Sequence, residues 1–222
     1  MVIIDYKKQY HRKIINACVL ALKKGKVLAY PTDTSYGLAA DATNVRAIRR
    51  LYQIKVRGFN MPVHIVVPSL AYAKKVSIWN RGGKILAKKF FPGPLTLVLQ
   101  LKTKDKGLKI LSAATGTIGI RMPNNKIALD LAKNLGRPIT ATSANPPDSL
   151  GGHDSYSADD VAAQFRSQKD KPDIIINAGK LPKRKPSTLV RVFDDVVKVL
   201  REGPVSEKQI QKVIANIRIK NS

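Results

Sequence analysis

Apolar positions recur with the spacing of a helix over residues 8–24, at Ile14, Ile15, Cys18, Val19, Leu20 and Leu22, and Gly25 closes the run. KVLAYP (26–31) is a short apolar run that predicts a buried strand, and DTSYGLAADAT (33–43) is small and turn-forming. Asn44 is placed to cap a helix through NVRAIRRLYQIK, with Val45, Ile48, Leu51 and Tyr52 on one side. PVHIVV (62–67) predicts a strand, LAYAKKVSI and GGKILAKKFF two helices, and PGPLTLVLQLK (92–102) a strand entered through a Pro-Gly-Pro corner.

TIGIRMP (117–123) continues as a strand, and KIALDLAKNLG (126–136) as a helix that Gly136 ends. PITATSAN (138–145) is a strand running into a polar tip, and SADDVAAQF a helix with Ser157 at its N-cap. DIIINAG, STLVRV and VVKVLRE follow as strands, and SEKQIQKVIANI closes as a helix capped by Ser206. Strands and helices alternate, yet the last strands lie hairpin-close, so a mixed α/β fold is expected rather than a doubly wound parallel sheet. With no repeat and no convincing linker, residues 1–222 are read as a single domain, with the basic run KLPKRK (180–185) an exposed loop.

Bulk properties narrow the function classes. No stretch approaches the roughly 18 consecutive apolar residues of a membrane span, and MVIIDYKKQYHRK lacks a signal-peptide layout, so a cytosolic setting is expected. The single cysteine, Cys18, rules out an internal disulfide and a Cys-based zinc site within one chain, and reads as a small buried hydrophobe. His11, His64 and His153 show no metal-ligand spacing, so no protein metal site is expected. The 40 Lys+Arg against 15 Asp+Glu, a net charge of +25, favour polyanionic partners, tRNA or double-stranded RNA among them. Neither glycine-rich phosphate cradle is present: RGGKIL (81–86) lacks the first glycine, and no GxGxxG follows a strand. A nucleotide site must therefore be built from side chains.

Polar residues do gather at strand ends. Thr32 and Thr34 follow KVLAYP; Lys55 and Arg57 precede PVHIVV; Arg121 ends TIGI; Ser143 and Asn145 end PITAT; Ser187 and Thr188 open TLVRV; Arg201 closes VVKVL. Four cations with small hydroxyls and an amide are what an anionic ligand with a polar body requires. Each residue alone has an ordinary reading: Lys55 and Arg57 suit a helix C-terminus, the threonines a turn, and Arg121 a solvated surface.

YPTDTSYGL, KVR, PGPLTLVL, GIRMP, TSAN and STLV, in that order over about residues 10–215, resemble the YrdC/TsaC family of threonylcarbamoyl-adenylate synthases. The family's Lys-x-Arg and Ser-x-Asn quartet is matched by Lys55, Arg57, Ser143 and Asn145. The resemblance implies an open, twisted mixed sheet with flanking helices around a deep basic concave surface, in the short single-domain form. It implies that threonine and bicarbonate (or carbon dioxide) give a carbamate, which attacks the α-phosphate of ATP, with Mg²⁺ accompanying the nucleotide. The product, threonylcarbamoyl-AMP, goes to partner proteins that modify tRNA. The quartet would serve catalysis and ATP binding, joined on the ATP side by Ser187 and Arg201, while Thr32, Tyr36 and Arg121 would hold threonine. Gly58, Met61 and Glu202 depart from the family pattern, and Ser155 is a further nucleotide-side candidate. Where many members carry a threonine-contacting histidine this chain has Val66. His64 stands two residues earlier on the same strand face, from which it can still reach the site, its other reading being an ordinary sheet histidine.

Two other readings compete. A non-catalytic RNA- or tRNA-binding module would suit the charge, but backbone binding has no need of the uncharged Ser143 and Asn145. Carbamoyl-adenylate chemistry of hydrogenase maturation would call for zinc-binding and acylphosphatase parts for which 222 residues with one cysteine leave no room.

Overall fold

The computed structural model describes residues 1–194 and 196–218. In chain order the elements are β1 (Val2–Asp5), α1 (His11–Lys23), β2 (Leu28–Tyr30), β3 (Gly37–Ala39), α2 (Val45–Ile54), β4 (His64–Val66), α3 (Leu70–Val76), α4 (Arg81–Phe90) and β5 (Leu95–Gln100). There follow α5 (Lys106–Leu111), β6 (Thr117–Arg121), α6 (Lys126–Leu135), β7 (Ile139–Ser143), α7 (Ala158–Phe165), β8 (Ile174–Asn177), β9 (Thr188–Phe193), β10 (Val196–Arg201) and α8 (Glu207–Arg218). The strands form one open ten-stranded sheet in the order β1-β8-β2-β3-β7-β4-β6-β5-β9-β10. It is mixed, as expected: β4 runs parallel to β6 and antiparallel to β7, and β9 and β10 form an antiparallel hairpin.

Local chemistry sets the helix ends. Asn44 Oδ1 accepts from the N–H groups of Arg46 and Ala47, Ser157 and Asp160 form a reciprocal capping box, and Gly136 ends α6 in the left-handed conformation at φ 71°. Three elements were not anticipated. β3 lies inside the segment read as turn-forming, because GLA has no alternation and is drawn into extension by its ladders to β2 and β7. β1 is a four-residue edge strand completed by β8. α5 is six residues long, too short to show a period, and is started by the Asp105 cap on Leu108 N.

The two sheet faces differ in cover, and this creates the site. One face packs the larger core, with Leu38, Ile65, Leu97, Ile120 and Val190 beneath Ile48, Leu51, Leu86, Val161 and Phe165. On the other, among the described residues, α1 and α6 lie against the sheet, over Leu28, Tyr30, Ala39, Val66, Ile139 and Ile176. Side chains alternate across a strand, so Gly37, His64, Gly119, Arg121, Ala141 and Ser143 continue this second face beyond the helices. The uncovered part of the sheet becomes the floor of a cavity, and the turns at its strand ends become the walls.

Candidate active site

The Lys-x-Arg segment is shaped by how α2 stops. Val56 N–H bonds to Gln53 O at 2.9 Å and Arg57 N–H to Tyr52 O at 3.0 Å, the paired closure of a helix C-terminus that normally has glycine at its left-handed position. Here that position is Val56, at φ 44°, a conformation that costs a β-branched residue of order 1–3 kcal/mol. This abrupt turn lets Lys55 run inward while Arg57, one step past it, reaches the cavity wall.

Lys55 is 7% exposed and all three of its ammonium protons have acceptors. Nζ donates to Ser143 O at 3.1 Å, Asn145 O at 2.5 Å and Asn145 Oδ1 at 2.9 Å. Burial, aided by the nearby Arg57 charge, pulls its pKa down to about 8. The quartet is therefore brought together, but unequally. Arg57 and Ser143 line a cavity of about 390 Å³, whereas Lys55 and Asn145 sit behind its wall and fix the turn that carries Ser143.

At the other end of the cavity Arg121 Nη2 donates to Asp33 Oδ1 at 2.5 Å and to Thr34 Oγ1 at 3.2 Å. Asp33 Oδ2 accepts from Asn124 N. The 32–35 turn is self-supporting: Thr32 Oγ1 donates to Ser35 O at 2.7 Å and accepts from the N–H groups of Thr34 and Ser35. Arg121 Nε is buried with no partner among the described residues. The same side chain lines the cavity, so its guanidinium lies between the 32–35 turn and the open space.

Ser187, its hydroxyl paired with Thr96 at 2.8 Å, and Arg201, whose Nη2 donates to Ser187 O at 3.0 Å, line the same cavity. Tyr36 also contributes to the lining, but its hydroxyl is committed to Gly179 O at 3.0 Å and Ala178 N at 3.1 Å, so it serves as a wall and has no free polar group for a ligand. Ser155 is fully buried and its hydroxyl donates to Ala144 O; it braces the loop and does not line the cavity.

His64 lines the cavity, the first of its two readings and not that of an ordinary sheet histidine. The ring fits because the facing β6 position is Gly119: a Cβ there would lie 2.3 Å from His64 Cδ2 and 2.7 Å from Cγ. Burial, together with Arg201, Arg121 and Arg57, lowers its pKa to about 4, so it is neutral at physiological pH. The Gly119–His64 fit was invisible in sequence because residues 64 and 119 meet only through the parallel β4–β6 pairing. Gly119→Ala is expected to push the imidazole into the cavity. Calorimetry should then show at least tenfold weaker binding of ligands there, with about 1–3 kcal/mol lost from folding, the usual cost of overpacking.

No group of three or more His, Cys, Asp or Glu side chains suited to a metal ion occurs among the described residues, nor does any helix there long and apolar enough to cross a membrane. The lining itself holds three arginines and one carboxylate, Asp154.

The sequence profile of the Sua5/YciO/YrdC family, described as "Telomere recombination", matches residues 20–203. A Methanocaldococcus jannaschii protein is 32% identical over 95% of each chain. The threonylcarbamoyl-AMP synthase of Pyrococcus abyssi is 33% identical over 98% of this chain and 62% of its own length. The crystal structure of P. abyssi Sua5 complexed with L-threonine superposes with a TM-score of 0.87, at 31% identity, covering 96% of this chain and 61% of that one. With the profile spanning most of its length and an open mixed sheet shared with these relatives, the chain belongs to the Sua5/YciO/YrdC family.

Proposed function

We propose that the protein is an L-threonylcarbamoyl-adenylate synthase, a nucleotidyltransferase that makes threonylcarbamoyl-AMP and pyrophosphate from L-threonine, bicarbonate and ATP. One observation carries the reading: Lys55 holds the Ser143–Asn145 turn by three hydrogen bonds beside a cavity lined by Arg57, Arg121 and Arg201. Homologues named threonylcarbamoyl-AMP synthase share most of the chain.

In this reading Arg121 Nε and Thr34 receive the threonine carboxylate, while Thr32 holds the turn that positions them. His64, neutral on the floor, can exchange a hydrogen bond with the amino acid without adding to the positive field. The threonine amine attacks the bicarbonate carbon, a C–O bond breaks and water leaves, and the resulting carbamate uses one oxygen to attack the α-phosphorus of ATP. The bond from that phosphorus to the bridging oxygen breaks, and pyrophosphate leaves. Arg57 and Arg201 neutralise the phosphates, and Ser143 donates to a phosphate oxygen without further charge. Ser187 keeps Arg201 in place through its carbonyl. Mg²⁺ bound to the phosphates would share the neutralisation. The product would pass to tRNA-modification proteins in the cytoplasm.

Protein incubated with ATP, Mg²⁺, threonine and bicarbonate should yield threonylcarbamoyl-AMP by mass spectrometry. The yield should vanish when any one substrate is omitted. No product, with no ATP binding by calorimetry, would overturn the assignment and turn attention to RNA binding, read from a steep fall of tRNA affinity with salt.

A further inference from the structure

The cavity has one feature that phosphate and threonine binding do not account for. Asp154 is the single carboxylate in its lining, and among the described residues it has neither an ion pair nor a side-chain hydrogen bond, although Arg57, Arg121 and Arg201 line the same space. Its backbone neighbours are fixed. His153 N donates to Gln164 Oε1 at 2.9 Å, and Gln164 Nε2 returns bonds to His153 O at 3.0 Å and Ser155 Oγ at 2.7 Å. Ser155 Oγ donates to Ala144 O at 2.9 Å, and Ser155 O accepts from Tyr36 N at 2.8 Å. The carboxylate is thus carried on a braced loop tied to the same turn that Lys55 holds.

A carboxylate facing a phosphate-binding cavity repels the phosphates unless a cation or a donor lies between. Mg²⁺ with a nucleotide is typically held by one or two carboxylates plus the phosphates rather than by an all-protein cage. We propose that Asp154 is the protein's ligand, direct or through water, for the divalent cation that accompanies the nucleotide phosphates, and that it selects the metal-loaded nucleotide over the free one. This rests on the reading of the cavity as an ATP site.

The test is ATP binding by calorimetry in EDTA and in Mg²⁺, for the unaltered protein and for Asp154→Asn. The unaltered protein should bind ATP at least tenfold more tightly with Mg²⁺ than in EDTA. Asp154→Asn should lose that gain while binding metal-free ATP as well as, or up to several-fold better than, the unaltered protein, because a repulsive charge is gone. Metal-free binding by the variant also shows that it is folded. Asp154→Cys should recover a metal-dependent gain with Cd²⁺ but not with Mg²⁺, since a thiolate prefers the softer ion. Equal weakening of Asp154→Asn in both buffers would overturn the proposal and assign the carboxylate to the nucleotide's own hydroxyl or amino donors. No change in either buffer would overturn it too, leaving the carboxylate idle. Failure of the unaltered protein to bind ATP at all would instead remove the ATP-site reading, and this proposal with it.

Discussion

Lys55→Ala is expected to reduce threonylcarbamoyl-AMP formation by roughly a hundredfold to a thousandfold, the scale on which loss of one preorganised group acts. The reason is specific to this geometry. Lys55 does not line the cavity; its ammonium is consumed by Ser143 O, Asn145 O and Asn145 Oδ1. Without it three buried acceptors lose their donor, each at a cost of roughly 1–3 kcal/mol, and the turn carrying Ser143 is released. Lys55→Arg should rescue poorly, because a planar fork cannot meet three acceptors arranged around a point charge.

The same network predicts opposite trends in activity and relative stability with pH. Only the ammonium form has three protons to donate, so kcat/KM should fall as pH rises through about 8, the lowered pKa of Lys55. Stability moves the other way. The folded pKa lies below the unfolded value of 10.5, so between about 8 and 10.5 the unfolded chain binds more protons and the Lys55 contribution to stability rises with pH. Measured as the gap in unfolding free energy between the unaltered protein and Lys55→Met, which cancels other titrating groups, this contribution should grow across that window while turnover declines. Turnover flat from pH 7 to 10, or more than a tenth of it left in Lys55→Ala, would contradict the account.

How much of this was legible in the chain depends on range. The caps Asn44, Ser157 and Gly136 were legible because a side chain and the backbone it satisfies lie within a few residues. The gathering of Lys55 with Ser143 and Asn145 was legible through resemblance, but their division of labour was not. Burial of the ammonium depends on a β7 terminus 88 residues away. β3 was hidden because its extension is imposed by neighbours, not by pattern. Asp33 passed as one more turn residue until the fold set it under Arg121. The place of His64 depended on a glycine in another strand.

Taken together, the cavity uses positive charge in two distinct ways. Arg57 and Arg201 line the open space, Arg201 with one nitrogen bonded to Ser187 O. Lys55 and Arg121 are tied to protein acceptors and organise the ends of the site, one the Ser-x-Asn turn and the other the Thr32–Ser35 turn. The cations of this site are held by backbone carbonyls and side-chain acceptors together, Lys55 by Ser143 O and Asn145, Arg201 by Ser187 O and Arg121 by Asp33, with no glycine-rich loop among them.

Arg121 provides the sharpest test of that division, because stability and binding can be separated there. The Arg121 and Asp33 side chains are only 10% and 4% exposed, so Arg121→Ala leaves a buried carboxylate with only the Asn124 N–H for support. Breaking one side of a buried pair typically costs about 3–5 kcal/mol, and urea denaturation should show a loss of that order. Adding Asp33→Asn to Arg121→Ala removes the stranded charge while an amide oxygen can still accept from Asn124, so the double variant should regain most of the lost stability. Threonine binding should not return with it if Arg121 receives the carboxylate as proposed, since the guanidinium is gone in both. Calorimetry on the refolded double variant decides the matter: threonine affinity weakened by tenfold or more supports the assignment, and near-native affinity would make Arg121 a structural residue whose only duty is to Asp33.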